Sequence, residues 1–255
     1  MQFPVLNSFP ELIHFSTLRS GISNTGYYNS LNPGLNFRDV PENIMTNKSL
    51  LSRSLGIDPD RLIFPKQTHS ATVKTITSDF FKAGEEEQKN FLKETDAVMT
   101  SLAGVCIAVK TADCVPVLLY DPQRKVIAAI HAGWRGTVQN IVVETISRMT
   151  AIFGSQPSDL FAAIGPSIGP GIYEVGREVW DLFPSEFYRT GHPSRPDKRL
   201  LDLWKANHHQ LMGTGIPSFQ IEIARICTFS DPVRFYSARR DGAQTGRMGT
   251  GIMMK

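Results

Sequence analysis

The sequence predicts an α+β fold in which mixed β-sheets are packed with helices on the outside, and three observations lead there. Short β-branched or apolar runs of strand length gather between residues 62 and 130. An apolar stripe at helical spacing follows them. Beyond it, helical and extended patterns are interspersed without the regular strand-helix beat of a doubly wound sheet.

The first 60 residues are rich in Asn, Ser, Gly and Pro, as in Ser23-Asn-Thr-Gly-Tyr-Tyr-Asn-Ser-Leu-Asn-Pro-Gly34, which predicts ordered turns that line a site. Glu42 to Leu55 carries Ile44, Leu50, Leu51 and Leu55 without Gly or Pro until Gly56, a helix with a glycine stop. Strands are predicted at Leu62 to Phe64, Ala71 to Ile76, Ala97 to Met99, Val105 to Val109, Val115 to Tyr120 and Val126 to Ile130. The acidic insert Gly84-Glu-Glu-Glu-Gln-Lys89 interrupts them as a solvated loop or helix face. From Thr137, a possible N-cap, Val138, Ile141, Val142, Thr145, Met149, Ile152 and Phe153 share one stripe that Gly154 ends. There follow a strand at Phe161 to Ile164, helices at Tyr173 to Phe183 and Leu203 to Met212, and strands at Gln220 to Cys227 and Arg234 to Ala238.

A chain of 255 residues with 41% apolar and 20% charged side chains buries a full core as one domain over residues 1–255, which excludes disordered, collagenous and membrane chains. The 27 basic and 24 acidic side chains leave +3 with no block of five like charges, so nucleic acid is not an expected partner. Met1 to Phe15 lacks a basic segment followed by an apolar one, and the longest apolar runs are strand-sized; the expected location is the cytoplasm, with no membrane contact. Three cysteines argue for reduced thiols with packing, metal or catalytic roles.

Ligand-type residues stand beside turns in Lys66-Gln-Thr-His69, Thr111-Ala-Asp-Cys114 and Ile130-His-Ala-Gly-Trp-Arg-Gly-Thr137. His69, Cys114 and His131 would give two imidazoles and a thiolate, a set a catalytic Zn2+ accepts while keeping a fourth position open. The same residues permit a metal-free centre in which Cys114 is the nucleophile and His131 or His69 takes its proton; spacing leaves both open. His131 ends a strand and opens a glycine turn into a helix, where Gly133 and Gly136 allow close backbone approach and Arg135 a bidentate contact to an anion. Asp113 adjoins Cys114, and since adjacent strand residues point to opposite faces it would reach the same site only through a turn, which Pro116 allows. Ser237-Ala-Arg239-Arg240 with Arg247 is either a solvated turn or a substrate contact. Cys106 and Cys227 read as structural, His208 and His209 as surface, and Glu174 as a helix cap or a supporting carboxylate.

The segments Lys66-Gln-Thr-His69, Asp96-Ala-Val-Met-Thr100, Thr111-Ala-Asp-Cys-Val-Pro-Val-Leu-Leu119, His131-Ala-Gly-Trp-Arg-Gly-Thr137, Ile164-Gly-Pro-Ser-Ile-Gly169, Tyr173-Glu-Val175, Leu201-Asp-Leu203 and Ser237-Ala-Arg-Arg240 closely resemble the YfiH-like, or laccase-domain, purine nucleoside phosphorylase family. The resemblance implies an α+β architecture like that of cysteine deamidases, and a metal held by His69, Cys114 and His131, usually zinc, with copper claimed for oxidase activity. It implies phosphorolysis of adenosine, inosine and 5′-methylthioadenosine with inorganic phosphate, and deamination of adenosine. Other members look like hydrolases that edit peptidoglycan precursors, or like copper-dependent polyphenol oxidases. The implied roles are a nucleophile activated or oriented at Cys114 and His131, a proton carrier at Asp113, and phosphate or substrate contacts from Lys48, Arg135, Gly133, Gly136 and Arg239, in a monomer or small homo-oligomer. The family's early Asn-Arg pair is Asn47-Lys48 here, which keeps the charge and loses the planar fork. Its Phe-Ser-Thr-Arg stretch is Phe15-Ser-Thr-Leu18, with Arg19 one place later.

Overall fold

The computed structural model describes residues 1–19, 41–191 and 194–255, with side chains in the first helix from residue 46 onward; the Ser23 to Gly34 turns lie outside the described residues. In chain order these form β1 (Leu12–Ser16), α1 (Pro41–Leu55), β2 (Leu62–Ile63), β3 (Val73–Thr75), α2 (Glu85–Phe91), β4 (Ala97–Thr100), β5 (Cys106–Thr111), β6 (Val115–Asp121) and β7 (Val126–Ala132). The second half gives α3 (Trp134–Val138), α4 (Ile141–Phe153), β8 (Phe161–Ile164), β9 (Glu174–Val175), α5 (Arg177–Trp180), β10 (Tyr188–Thr190), β11 (Arg199–Leu201), α6 (Leu203–Gly213), β12 (Ile221–Ile223), α7 (Ala238–Asp241) and β13 (Met248–Met254).

The expected mixed sheets are present. A six-stranded sheet has the order β12-β8-β6-β7-β4-β3, antiparallel in its middle and parallel at both edges. A four-stranded sheet, β1-β13-β5-β2, is antiparallel except for β2 with β5. Every residue of β6 and β7 is buried, which is why both read as unbroken apolar runs. Alternate residues face two layers: Val117, Leu119, Ala128 and Ile130 pack with Ile141, Val142, Ile146 and Met149 of α4, while Leu118, Tyr120, Ile127 and Ala129 pack with Ile107, Val109 and Ile252 of the four-stranded sheet. Each large aliphatic side chain so buried contributes about 1.5–3 kcal/mol. No helix among the described residues is long and apolar enough to cross a membrane.

The predicted α1 with its Gly56 stop (φ +69°), β2 to β8, α6 and the Gly154 terminus (φ +71°) are found, and the acidic insert is the exposed α2. Five expectations change. The helix expected from Thr137 is split by Asn140, whose left-handed φ of 59° separates α3 from α4. Thr137 is not an N-cap but lies buried inside α3, its Oγ1 donating to Gly133 O at 3.0 Å and accepting from Asn207 Nδ2 at 3.1 Å. Tyr173 to Phe183 is not one helix: Glu174 and Val175 pair with Leu200 and Arg199, and only Arg177–Trp180 is helical. Arg234 to Ala238 is not a strand; Phe235 and Tyr236 are buried, and Ser237 caps α7 by accepting from Arg240 N. Gln220 to Cys227 shortens to β12, with Cys227 bridging Ser167 beyond it.

Strand β13 runs through the middle of its sheet although Gly249 and Gly251 depress any strand propensity. The close approach explains one of them: a Cβ on Gly251 would stand 2.8 Å from both Ala108 Cβ and Phe15 Cζ.

Candidate metal centre and active site

The six-stranded sheet delivers His131 near the end of β7, Cys114 at the turn into β6, and His69 from the loop between β2 and β3. Their ligand atoms all lie within 4.8 Å of one another. Cys114 Sγ is 3.8 Å from His69 Nε2, and the two imidazoles are tilted 70° with centroids 4.9 Å apart. A tetrahedral zinc with Zn–N of about 2.1 Å and Zn–S of about 2.3 Å sets its N and S ligands roughly 3.6 Å apart, so the Cys114–His69 pair already stands near that spacing and the trio would close from within 4.8 Å to hold one ion.

Asp96, at the entry to β4 and fully buried, organises this geometry. Its Oδ1 accepts from His69 N at 2.9 Å and pairs with His131 Nδ1 at 2.7 Å, while Oδ2 accepts from Thr68 N at 3.0 Å and from Ser70 N and Oγ at 2.8 Å each. His69 is thereby held at φ 64°, a left-handed conformation that costs a non-glycine residue about 1 kcal/mol or more. With its Nδ1–H on Asp96, His131 turns Nε2 to the other two donors, the orientation metal-bound histidines take from a supporting carboxylate. Burial alone would raise the Asp96 pKa, but the His131 bond and charge and the loop amides outweigh it and hold the carboxyl well below its usual range. Burial would likewise raise the Cys114 thiol, yet His131 and then His69 bring it down to about 6. His131 goes the other way: burial lowers it, and the Cys114 thiolate and Asp96 lift it to about 9. In the metal-free protein this is a thiolate-imidazolium pair.

The three donors open into a cavity of about 480 Å³ whose wall also holds Lys66, Gln67, Lys110, Ala238 and Arg247, with no carboxylate among the described lining residues.

The remaining residues singled out by sequence are placed as follows. Gly133 caps α3 directly against the centre: a Cβ there would stand 3.0 Å from Cys114 Sγ and 3.1 Å from His69 Cδ2. Its φ of −68° suits any residue, so the requirement is for space. Gly133→Ala is expected to fold normally and to bind metal about tenfold more weakly, measured by competition with a chromogenic chelator. Gly136 is buried, and a Cβ there would meet Ile141, the Ser70 carbonyl and the His131 carbonyl at 3.3–3.4 Å, so its small size serves packing of the turn. Arg135 is exposed, with its guanidinium 4.3 Å over the Trp134 ring. Arg239 is exposed, 5.2 Å over Tyr173, and donates to Glu174 O at 2.8 Å. Lys48 lines a separate neighbouring cavity, not the one that holds the donors.

Asp113, expected to carry a proton, has both carboxylate oxygens engaged elsewhere. Oδ1 accepts from Thr228 Oγ1 at 2.6 Å, and Oδ2 from Ser237 Oγ at 2.9 Å and Arg239 N at 2.7 Å. At φ 90° it clamps the start of α7 onto the Cys114 turn, which makes it a positioning residue. Cys106 is fully buried in the core, and Cys227 Sγ accepts from Gly169 N, both structural as expected. His209 is exposed and His208 half-buried. Glu174 caps no helix; its carboxylate pairs with Arg195. Sequence reasoning assigned no role to Asp96, although an acid opening an apolar strand was a usable signal, and did not place Lys110 on the cavity wall.

A family profile described as multi-copper polyphenol oxidoreductase laccase matches residues 13–255. A purine nucleoside phosphorylase of Bacteroides thetaiotaomicron is 40% identical over 253 residues, covering 98% of this chain and 94% of the relative. An adenosine deaminase from an unknown prokaryotic organism is 35% identical over 246 residues, 94% of this chain and 93% of that one. Among solved structures, YlmD from Geobacillus stearothermophilus superposes with a TM-score of 0.89 at 31% identity, covering 99% of this chain and 94% of its own. With a profile match over residues 13–255 and relatives and solved structures alike over nearly the full length, the chain belongs to the laccase-like YfiH/YlmD family.

Proposed function

We propose that this chain is a metal-dependent purine nucleoside phosphorylase acting on adenosine, inosine and 5′-methylthioadenosine, with adenosine deamination as a second reaction of the same centre. The observation that carries it is the convergence of His69, Cys114 and His131, with His131 oriented by Asp96, at a cavity whose wall is cationic. The donor set of two imidazoles and one thiolate suits zinc, which when bound supplies Lewis-acid polarisation at the cavity floor. Copper would occupy the same donors.

The chain's own groups do the rest. His131 keeps its Nδ1 proton on Asp96 and so presents one fixed face to the cavity. Lys66, Lys110 and Arg247 draw an anionic co-substrate inward. Arg135 and Arg239, each stacked on an aromatic ring beside the centre, are the outer contacts to substrate, and Asp113 holds Arg239 in place through its backbone. In phosphorolysis a phosphate oxygen bonds to C1′ as the bond from C1′ to the purine nitrogen breaks, and the base leaves with a proton.

With metal-loaded protein, adenosine is expected to release adenine only when inorganic phosphate is present, while inosine forms without it, both followed by chromatography. Purine nucleosides that yield no free base at any phosphate concentration would refute the phosphorylase reading. The lowered thiol of Cys114 beside His131 supports one alternative, a hydrolase with Cys114 as nucleophile; it would release the amino acid from a muramyl precursor in phosphate-free buffer.

A further inference from the structure

Lys110 occupies a place that the alternation of β5 reserves for an apolar side chain. Cys106 and Ala108 pack with Leu62 and Met253, while Ile107 and Val109 face the opposite core, and Lys110 continues the Cys106-Ala108 row. Nor does Lys110 stand on an open edge: β13 pairs with it through Gly249, and on its other side the Gln67 side chain donates from Nε2 to Lys110 O at 2.7 Å and accepts at Oε1 from Lys110 N at 2.8 Å.

The side chain runs between two cavities. It lines the 480 Å³ space that holds the three metal donors, and also a neighbouring one of about 670 Å³ that contains Lys48 and Asp60. Its ammonium lies 5.8 Å from the Phe64 ring centroid. Among the described residues it makes no ion pair, and the charge that bears on it is the like charge of Arg247. Arg247 is itself held in place by the carbonyls of Ala243, Thr245 and Gly246. Burial and Arg247 lower the Lys110 pKa to about 8, so it remains largely charged at neutral pH. Cations gathered on one partly buried wall are costly unless an anion joins them.

We propose that Lys110, with Arg247 beside it and Lys66 at the rim, is the binding site for inorganic phosphate in the metal cavity. This rests on the phosphorylase reading given above. Lys48, at the position where the family resemblance implies the phosphate contact, faces the second cavity instead, and Asp60 and Asp58 already bear on its charge. The Lys110 ammonium, backed by Arg247 in a pocket shared with the metal donors, suits a small tetrahedral oxyanion delivered next to the reacting carbon.

The test has two readouts. In metal-loaded enzyme, Lys110→Met is expected to raise the phosphate concentration for half-maximal inosine phosphorolysis about tenfold or more, Lys110→Arg to recover most of that loss, and Lys48→Met to have the smaller effect. Independently of turnover, acetylation of Lys110 in the wild-type protein, followed by mass spectrometry, should be suppressed by millimolar inorganic phosphate and not by adenosine 5′-monophosphate. Unchanged phosphate dependence in Lys110→Met, or protection by the nucleotide alone, would overturn the proposal. If Lys110→Met fails to fold, the arginine variant and the labelling decide. Protection of Lys110 by phosphate in a protein that releases no base would retain the anion site and reject the phosphorylase; phosphate-dependent base release with no protection would do the reverse.

Discussion

Cys114→Ala is expected to lower bound metal from about one ion per chain to less than a tenth of that, measured by elemental analysis of protein purified without added metal. The thiolate is the one anionic donor of the three, and of the two imidazoles that remain, His131 comes from β7 and His69 from a loop residue in the left-handed conformation. Ligands must also be deprotonated to bind, and here the neighbouring imidazoles already bring the thiol down to about 6, so at neutral pH no proton has to be displaced from it. In metal-free wild-type protein Cys114 should therefore be alkylated rapidly, at a rate that falls as pH drops through about 6, whereas a bound ion should protect it. Cys106 provides the internal control, because burial alone pushes its thiol far up and keeps it inert. Full metal occupancy in Cys114→Ala would rule the residue out as a ligand.

Asp96→Ala should cause the largest loss of stability of any single change at the site, about 3–5 kcal/mol by denaturant titration. The carboxylate is fully buried and serves three backbone amides, one hydroxyl and His131 at once. Removing it leaves those donors unsatisfied, at about 1–3 kcal/mol for each that water cannot reach. Asp96→Asn keeps the shape but offers one acceptor oxygen, so either the 68–70 loop or the His131 Nδ1–H must face an amide NH2 group. It should lose less stability than Asp96→Ala yet weaken metal binding about 10- to 100-fold, read by chelator competition. Wild-type metal affinity in Asp96→Asn would show that the carboxylate supports the fold without tuning the ligand.

Much of the fold was legible because burial on both faces writes itself locally. β6 and β7 are wholly buried, so their apolar runs announced them, and α4 showed its stripe because one face packs on the sheet. β13 was not legible: its glycines are there for close contact with Ala108 and Phe15, and its partners β1 and β5 lie more than a hundred residues away. The break at Asn140 was equally hidden, since the apolar period continues through it while the backbone does not.

By itself the sequence determined the donor chemistry: a histidine, a cysteine and a second histidine, each beside a turn, together with the segments that mark the family. Their convergence within 4.8 Å belongs to the tertiary structure. So do the three assignments that changed most. Asp96 acts through contacts 26 to 35 residues away. Asp113 is an anchor because Thr228 and Ser237 arrive from 115 and 124 residues further along the chain. Lys110, rather than Lys48, lines the metal cavity because the register of β5 on β13 and the Gln67 side chain on its other side point it there. Composition and periodicity record what a residue is and what its immediate neighbours are, whereas a hydrogen bond or a shared cavity depends on which strands the chain folds together. The donors were therefore readable in one dimension, and the groups that orient and charge them only in three.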